Sequence, residues 1–469
     1  MTSAEGLGLD LLVVVDRADG RSLRAQLEDQ LRDAVRRGAL HAGTVLPSTR
    51  ALAHELGVSR GVVVEAYAQL AAEGFLVART GGETRVAEVA REEAGPDGGA
   101  GKPAVAERVP PPVRFDFRTD AADLSAFPRR AWAAAVRDVL RDMPDVALGY
   151  GDRCGAPALR TTLAAYLGRA RGVAVEAEHV VVTTGITQAI AVLARALRRS
   201  GVRAIAVEDP GFPLHRMVLA REGLRVVPVG VDAGGMVVEA LDALPEVGAV
   251  LVTPSHQMPL AMALAPERRA ALVAWAAARD GWILEDDYDG EYRFDRDPVA
   301  ALQALAPARV IYLGSASKTL APALRLGWMA VPPELYEAVA DAKLLADSGS
   351  PQIDQLALAA FVERGELDRH LRRMRARYRA RRDALLPALA EHVPEIAVEG
   401  IPAGLYVSGR LDDDVALGPL LARAWRSDVG LLGYEHGGVA RVLLGYANLP
   451  EPSVVPAVRA LADVVRGAG

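Results

Sequence analysis

The sequence predicts an α/β protein in which a small helical N-terminal domain precedes a larger domain built on a mostly parallel sheet. Three observations indicate this. Residues 8–88 carry amphipathic helical repeats, residues 89–113 are rich in glycine and proline, and residues 114–469 alternate helical patterns with short apolar runs. A chain of 469 residues is long enough for two or three domains, since single cores rarely grow beyond about 250–300 residues.

Composition excludes several classes of protein. Charged residues make up 24% and apolar residues 51% of the chain, which is typical of a globular protein and not of a disordered one. The formal charge of −6 argues against nucleic-acid binding by the whole surface but allows one small DNA-binding domain. No apolar run approaches the ~20 residues of a membrane span. The single cysteine, Cys154, cannot form an internal disulfide, so we expect a cytoplasmic protein without a membrane partner, and we assign no metal site.

The N-terminal segment predicts three helices followed by a two-stranded wing. Apolar residues recur at helical spacing behind three candidate N-caps, Ser22, Ser48 and Ser59. Gly38 ends the first helix, and Gly57 lies in a short turn between the second and third. Two helices joined by such a turn are typical of a helix-turn-helix. Residues 75–77 and 84–86, on either side of a Gly-Gly pair, predict the wing.

The placement of arginine, more than the net charge, predicts DNA binding by this segment. Between Arg21 and Glu88 there are nine arginines, no lysine and eight acids. First-turn side chains of a recognition helix face base edges, while wing arginines meet phosphate or the minor groove. The candidate DNA contacts are Arg50, Ser59, Arg60, Arg79 and Arg85. The alternative is a small helical packing module with ordinary surface arginines.

The motifs of this segment carry a resemblance to a known family. Residues 46–53 (LPSTRALA), 56–60 (LGVSR) and 64–74 (VEAYAQLAAEG) resemble the winged-helix domain of GntR-type transcription regulators, which implies binding to double-stranded operator DNA. Gly61 departs from the pattern, because the family usually has a larger or polar residue there. Residues 89–113, which include Pro110, Pro111 and Pro112, predict a linker that is flexible first and stiffer at its prolines.

Six apolar runs after the linker predict the strands of a mainly parallel sheet with helices on both faces. They are residues 180–184, 204–207, 226–229, 249–253, 282–286 and 310–313. Ligands of such sheets collect at the carboxyl ends of the strands. Gly185, Ile186 and Thr187 follow the first run and open a helix, an arrangement that suits a phosphate group.

Lys318 is the candidate reactive residue. It follows the last apolar run, and a lysine that is partly buried near another cation has a lowered pKa and can form a Schiff base with a carbonyl. Pyridoxal 5'-phosphate supplies such a carbonyl, and Ser315 and Arg325 are placed to hold its phosphate. The alternative is a solvated surface lysine.

An acidic stretch after run 282–286 supports the cofactor hypothesis. Asp286 is the candidate partner of the pyridine nitrogen, which acts as an electron sink only while protonated. Tyr288 lies two positions on, on the same side of an extended chain, and is placed to meet the ring hydroxyl. Phe212 is a candidate to stack on the ring, although core packing is an even alternative. For the acidic residues the alternative is a solvated loop.

These motifs together are similar to the fold-type I aminotransferases, and with the winged helix the whole chain resembles a MocR-type regulator of the GntR superfamily. The most specific motifs are residues 149–152, 208–211, 253–257, 285–288 and 315–318. The resemblance implies the same cofactor roles for the residues named above and a smaller C-terminal α+β subdomain at about 334–469. It also implies a head-to-tail homodimer in which Tyr150 reaches the phosphate of the neighbouring subunit.

Three departures from the aminotransferase pattern bear on the function. Ile186 and Thr187 stand where the phosphate loop usually has polar residues, and the asparagine-type motif beside the cofactor is replaced by His256-Gln257-Met258. Leu443 stands where aminotransferases carry a carboxylate-binding arginine. Arg441 lies one pleat away, about 6–7 Å. Ordinary amino-acid transamination is therefore disfavoured.

The sequence thus predicts a pyridoxal-phosphate-dependent transcriptional regulator that senses the cofactor itself, an amine or another ligand. The main alternative is a working aminotransferase with an accessory DNA-binding domain. A second alternative is a regulator whose cofactor site is vestigial, so that DNA binding ignores the cofactor.

Overall fold

The chain forms two compact units, residues 1–110 and 111–469. In this computed structural model the described residues are 13–78, 83–88, 112–119, 122–294, 299–412 and 415–467. The boundary between the two units falls within the segment predicted as a linker, of which residues 89–111 lie outside the described residues. Within the described part of the chain, no helix is both long enough and apolar enough to cross a lipid bilayer.

The first unit is a three-helix domain with a two-stranded wing. Its elements are α1 (Leu23–Arg36), α2 (Thr49–Glu55), α3 (Arg60–Ala72), β1 (Leu76–Ala78) and β2 (Thr84–Val86), with the two strands antiparallel. The backbone N–H of Ala25 donates to Ser22 Oγ, and that of Ala51 donates to Ser48 Oγ, each at 3.2 Å. These two serines therefore cap α1 and α2, as predicted.

Ser59 is the exception among the predicted caps. It occupies the N-cap position of α3, but its side chain makes no capping hydrogen bond there. The predicted N-cap position of Ser59 is therefore confirmed, whereas its side chain does not supply a capping hydrogen bond. The core of the unit is formed where α1 and α3 pack together, around Leu27, Leu31, Ala66 and Leu70.

The second unit is an α/β domain whose main sheet has eight strands. In chain order its elements up to the end of that sheet are β3 (Phe115–Asp116), α4 (Arg129–Asp142), α5 (Pro157–Arg171), β4 (Val180–Thr183), α6 (Ile186–Arg199), β5 (Ala204–Asp209), α7 (Pro213–Arg221), β6 (Arg225–Asp232), β7 (Gly235–Met236), β8 (Val247–Val252), α8 (Pro266–Arg279), β9 (Trp282–Asp286), β10 (Val310–Ser315) and β11 (Gly327–Ala330). The strand order is β4-β11-β10-β9-β8-β5-β6-β7. The five strands β10, β9, β8, β5 and β6 are parallel, while β11 and β7 run antiparallel to their neighbours. The predicted fold class is confirmed, and all six apolar runs are strands of this sheet.

Side chains of the sheet alternate between its two faces, as the pleat requires. In β10, Ile311 and Leu313 pack with α6 and with the helix Pro333–Asp347, while Tyr312 packs in a separate core on the opposite face. Helices therefore cover both faces, which buries the central strands β8, β9 and β10 almost completely and explains their continuous apolar sequence.

The C-terminal part of the second unit carries a separate four-stranded antiparallel sheet. The remaining elements are α9 (Pro333–Asp347), α10 (Gln352–Glu363), α11 (Glu366–His392), β12 (Ile396–Glu399), β13 (Tyr406–Leu411), α12 (Leu417–Arg426), β14 (Val429–Gly430), β15 (Leu432–His436), β16 (Val439–Gly445) and α13 (Val454–Arg466). The order of this sheet is β12-β13-β16-β15. The short strand β3, at the start of the unit, pairs in parallel with β14 near its end.

Candidate cofactor and DNA-binding sites

The carboxyl ends of the parallel strands open onto a cavity of about 320 Å³. Most of the side chains predicted to bind the cofactor line it, although they are far apart in sequence. Those that line it are Ile186, Thr187, Phe212, Asp286, Tyr288, Ser315, Lys318 and Arg325. The parallel topology explains the convergence, because strands that run in one direction deliver the residues that follow them to the same edge.

Lys318 lies in the wall of this cavity, three residues after the end of β10. Its side chain is half-buried, and the Nζ atom donates to the backbone carbonyl of Thr119 at 3.2 Å. The alternative of a solvated surface lysine therefore does not fit the structure. A partly buried amine that lines a cavity is placed to react with a carbonyl group there.

Arg325 and Gly185 form a cradle for an anion. Arg325 has a left-handed backbone with a φ of 50°, and its guanidinium group lies against Gly185, which has a φ of 119°. A Cβ atom at Gly185 would stand 3.1 Å from Arg325 Nη2, so both conformation and space favour glycine. Gly185 is also the N-cap residue of α6, whose first-turn N–H groups have no partner within the helix. A cation and a helix N-terminus therefore meet at this end of the cavity, as a phosphate requires.

Ser315 lies beside this cradle at the end of β10. It is buried, and its Oγ atom accepts from the backbone N–H of Ser317 at 3.4 Å. A serine hydroxyl can donate and accept at once, so Ser315 can also donate to a phosphate oxygen.

Asp286 ends β9 on the opposite side of the cavity. Its side chain is buried, and its Oδ1 atom has no hydrogen-bond partner among the described residues. Burial, together with the negative charges of Asp287, Asp289 and Glu208, raises the pKa of Asp286 to about 8. A buried carboxyl with an unpartnered oxygen fits the protonated nitrogen of a pyridine ring, which would supply both the hydrogen bond and the positive charge.

Tyr288 and Phe212 supply the aromatic surface of the cavity. The hydroxyl of Tyr288 donates to the backbone carbonyl of His256 at 2.8 Å, and burial raises its pKa well above the usual value. Phe212 is 39% exposed, so its side chain is not part of the buried core of the unit. Its ring meets that of His215 edge-on, with centroids 4.8 Å apart.

Sequence reasoning missed three residues that shape this cavity. His215 Nδ1 lies 3.7 Å from Asp286 Oδ2, and burial lowers the pKa of His215 to about 4, so the imidazole is neutral. Glu208 accepts from Thr253 Oγ1 at 2.6 Å, and burial raises its pKa to about 7. His215 was within reach of sequence reasoning, because it lies one helical turn beyond Phe212. Thr119 had no local signal, since it is 199 positions from Lys318.

Tyr150 and Arg441 lie away from the cavity wall. Tyr150 is fully exposed and is not among the residues that line the cavity. Arg441 Nε lies 2.9 Å from Glu399 Oε2, and its Nη1 donates to the carbonyl of His436. This arginine is therefore engaged within the C-terminal sheet. Leu443 is buried against Tyr406 and Ala261.

The predicted DNA contacts of the first unit lie at the start of its second and third helices and in the wing. Arg50, Ser59 and Arg60 are exposed, and Arg60 Nε donates to Thr49 Oγ1 at 3.4 Å. Arg85 is also exposed, and it pairs with Glu83 at 2.6 Å and donates to the carbonyl of Gly43. Arg79 lies outside the described residues.

Comparison with protein families identifies both units. Residues 23–86 match the family described as bacterial regulatory proteins, gntR family. Residues 118–435 match the family described as aminotransferase class I and II. A helix-turn-helix domain is thus followed by an aminotransferase-type domain in one chain.

Two curated relatives show the same arrangement over nearly their whole length. The HTH-type pyridoxine biosynthesis transcriptional regulator PdxR of Corynebacterium glutamicum is 32% identical over 467 residues, which cover 97% of this chain and 99% of the relative. The probable rhizopine catabolism regulatory protein MocR of Rhizobium meliloti is 32% identical over 484 residues, which cover 96% and 95%.

Solved structures resemble the second unit. The kynurenine aminotransferase of Pyrococcus horikoshii, in complex with PMP, has a TM-score of 0.68 and 25% identity, and covers 76% of this chain and 91% of its own. The α-aminoadipate aminotransferase LysN of Thermus thermophilus, complexed with N-(5'-phosphopyridoxyl)-L-leucine, has a TM-score of 0.68 and 26% identity, and covers 75% and 92%.

The fold and the two sites define a DNA-binding transcriptional regulator with a pyridoxal-phosphate-binding domain of fold type I. The chain belongs to the MocR-type regulators of the GntR family. The prediction of a regulator is thereby favoured over that of an aminotransferase with an accessory domain.

Proposed function

We propose that this regulator binds operator DNA as a cytoplasmic, head-to-tail homodimer and that its large domain senses pyridoxal 5'-phosphate or an adduct of the cofactor with an effector. The observation that carries the sensing part is that Lys318, Asp286 and Arg325 line one cavity. An amine, a carboxyl group and a guanidinium group there match the aldehyde, the ring nitrogen and the phosphate of the cofactor.

The roles of the side chains follow from their positions. When bound, the cofactor supplies an electrophilic aldehyde and a ring that withdraws electrons while protonated. Lys318 takes the aldehyde, Asp286 holds the proton at the ring nitrogen, and His215 packs against Asp286. The remaining cofactor-binding residues are assigned as follows: Ser315, Arg325, Gly185, Ile186 and Thr187 to the phosphate, Phe212 and Tyr288 to the ring, and Tyr150 to the phosphate of the partner subunit.

One contact connects Lys318 with the start of the second unit. The Nζ atom of Lys318 donates to the carbonyl of Thr119, which lies three residues after β3 (Phe115–Asp116). An amine that is bonded to the cofactor loses donor hydrogens, so the contact with Thr119 changes with the state of Lys318. The segment that follows the predicted linker is therefore sensitive to the cofactor, and a change there can alter the spacing of two DNA-binding domains.

Two observations support regulation over turnover and a dimer over a monomer. Leu443 replaces the carboxylate-binding arginine, and Arg441 is occupied by Glu399, so an amino-acid substrate lacks its usual anchor. Val146, Leu148 and Tyr150 are exposed apolar or aromatic residues in one short segment, which fits burial against a second copy.

For the DNA interface, we assign Arg50, Ser59, Arg60 and Arg85, and we keep Arg79 as a candidate from the sequence alone.

Operator affinity in the presence and absence of the cofactor tests this proposal. The full-length chain and Lys318→Ala would be titrated against the DNA upstream of the adjacent gene, with pyridoxal 5'-phosphate or with pyridoxine 5'-phosphate, which lacks the aldehyde. We expect the aldehyde form to change the affinity of the wild-type protein by roughly fivefold or more. Neither Lys318→Ala nor pyridoxine 5'-phosphate should give this change.

Three outcomes would overturn the proposal in different ways. Equal operator affinities with and without the cofactor, and with every amine tried, would indicate a vestigial cofactor site. Sustained turnover of an amino donor and a keto acid would favour the aminotransferase alternative. A visible absorption band that persists in Lys318→Ala would show that another group binds the aldehyde.

A further inference from the structure

A second cavity of about 320 Å³ is lined by His256 and, among the described residues, shares no lining residue with the cofactor cavity. Its walls combine apolar side chains, which suit the carbon skeleton of a ligand, with several charged groups. The charged or polar side chains among them are Arg171, Ser255, His256, Arg269, Asp289, Tyr292 and Arg293. Nothing in the proposed cofactor chemistry uses this space.

Two buried acceptors in the wall have no partner among the described residues. His256 and Asp289 are 2% and 1% exposed, and His256 Nδ1 lies 2.8 Å from Asp289 Oδ2. Because the carboxylate accepts, the hydrogen of a neutral His256 is on Nδ1, which leaves Nε2 as an acceptor. Both His256 Nε2 and Asp289 Oδ1 are without a hydrogen-bond partner in the described part of the chain. Buried polar atoms are nearly always satisfied, so these two indicate a bound group that donates hydrogen bonds.

Another part of the cavity wall favours a negatively charged group on the ligand. Arg269 lines the cavity and donates one N–H to the carbonyl of Ala300 at 2.7 Å, while burial lowers its pKa. Ala265 and Pro266, at the N-terminus of α8, also line the cavity, and a helix N-terminus favours an anion. The buried Arg171 adds positive charge, although it is paired with Asp287.

We infer that the second cavity binds a small organic acid that also carries a hydroxyl or amino group. The acid group lies toward Arg269 and the N-terminus of α8, and the donor group lies toward His256 Nε2 and Asp289 Oδ1. A volume of about 320 Å³ is at the lower end of the range for small-molecule sites, which fits a compact metabolite.

This site is connected to the cofactor cavity by hydrogen bonds between Tyr288, which lines the cofactor cavity, and His256, which lines the second cavity. The hydroxyl of Tyr288 lies 2.8 Å from the carbonyl of His256 and 3.3 Å from its Nδ1 atom. A ligand that donates to His256 on one side therefore acts on the hydrogen bonds of Tyr288 on the other. This coupling rests on the proposed role of Tyr288 at the cofactor ring. Binding of a ligand in the second cavity is independent of that role.

Calorimetric titration of the cofactor-loaded, full-length protein tests the site directly. Malate and succinate serve as probes, because they have the same carbon skeleton and the same charge at neutral pH and differ by one hydroxyl group. We expect malate to bind more tightly by roughly fivefold, the contribution of one hydrogen bond. Aspartate, tested on protein in which borohydride has fixed the cofactor to Lys318, distinguishes an amino from a hydroxyl donor.

Arg269→Gln and Arg279→Gln form a matched pair of variants on α8. Arg279 is exposed at the end of the same helix and does not line the cavity. Arg269→Gln should weaken malate binding by roughly tenfold or more, as expected for a lost charge-assisted hydrogen bond, and Arg279→Gln should leave it unchanged. Equal binding of malate and succinate, no measurable binding of malate or aspartate, or equal behaviour of the two variants would overturn the inference. Because heats of binding need no DNA, these results are independent of the operator response.

Discussion

The arginines of the two units differ in their exposure and in their partners. The difference distinguishes arginines that are available to bind a ligand from an arginine that stabilises the fold. In the first unit, Arg50 and Arg60 are exposed at the starts of two helices. In the second unit, the side chain of Arg171 is 1% exposed and pairs with Asp287 at 2.7 Å, and Asp287 also accepts from the hydroxyl of Tyr312 at 2.9 Å. Exposed arginines can exchange water for DNA phosphate, whereas a buried arginine is committed to its partner.

The energetic consequence concerns what happens when one partner is removed. Exposed ion pairs contribute about 0–1 kcal/mol and are screened by salt. Removing one partner of a buried pair leaves an uncompensated charge and costs about 3–5 kcal/mol. The exposed charges of the first unit, such as Arg50 and Arg60, are therefore open to change at little cost in stability, while the buried pair of Arg171 and Asp287 is not.

Asp287→Ala should have the largest effect on stability, and it is the strongest test of the contrast between exposed and buried ion pairs. We expect the free energy of unfolding of the second unit to fall by about 3–5 kcal/mol, because Arg171 would keep its charge in a buried position. Urea unfolding followed by circular dichroism measures the change. Asp19→Ala is the control, since Asp19 pairs with an Arg21 that is 60% exposed, and its loss should change the free energy of unfolding far less. Similar losses in the two variants would break the comparison.

Asp286→Asn should change the stability by a smaller amount over any one pH unit, because it removes a group that titrates. The pKa of Asp286 is about 8 in the folded protein and about 4 when unfolded, so the folded state holds the proton more tightly. The associated stability is present below about pH 4 and is lost as the pH rises to about 8, at no more than about 1.4 kcal/mol per pH unit.

Urea unfolding of cofactor-free wild type and Asp286→Asn across this pH range measures the contribution. The wild type should lose stability relative to the variant up to about pH 8, and the difference should be constant above that pH. Glu208, whose pKa is about 7, adds a slope of the same sign to both proteins, and its charge interaction with Asp286 is part of the measured difference. Parallel stability curves for the two proteins would contradict a raised pKa of Asp286.

Arg60→Ala should have the smallest effect on stability. It tests the same comparison at an exposed arginine of the first unit. Operator affinity should fall by roughly tenfold, because the first residue of a recognition helix faces the DNA. The free energy of unfolding should change by less than about 0.5 kcal/mol, since Arg60 is exposed. Fluorescence anisotropy with labelled operator DNA measures the affinity. Arg37→Ala, an exposed position at the end of α1, serves as the control and should bind DNA like the wild type. Equal affinities of all three proteins would remove Arg60 from the interface.

The sequence predicted most where the determining interactions are local. The caps at Ser22 and Ser48 act within three residues, and the apolar runs that form the main sheet are short and continuous. The grouping of Lys318, Asp286 and Arg325 followed from topology, because parallel strands end at one edge. Thr119 was missed, because its contact with Lys318 depends on packing between distant segments. The antiparallel insertion of β11 between β4 and β10 likewise has no local signature.

The pairing of β3 with β14 joins the beginning of the large unit to a strand near its end. Removing residues from either end of this unit would therefore disrupt the same pair of strands. A truncation before Val429 would leave Phe115 and Asp116 without their partner strand, and a start after Thr119 would delete the carbonyl that meets Lys318. An isolated effector domain that retains its cofactor pocket must therefore include both of these segments.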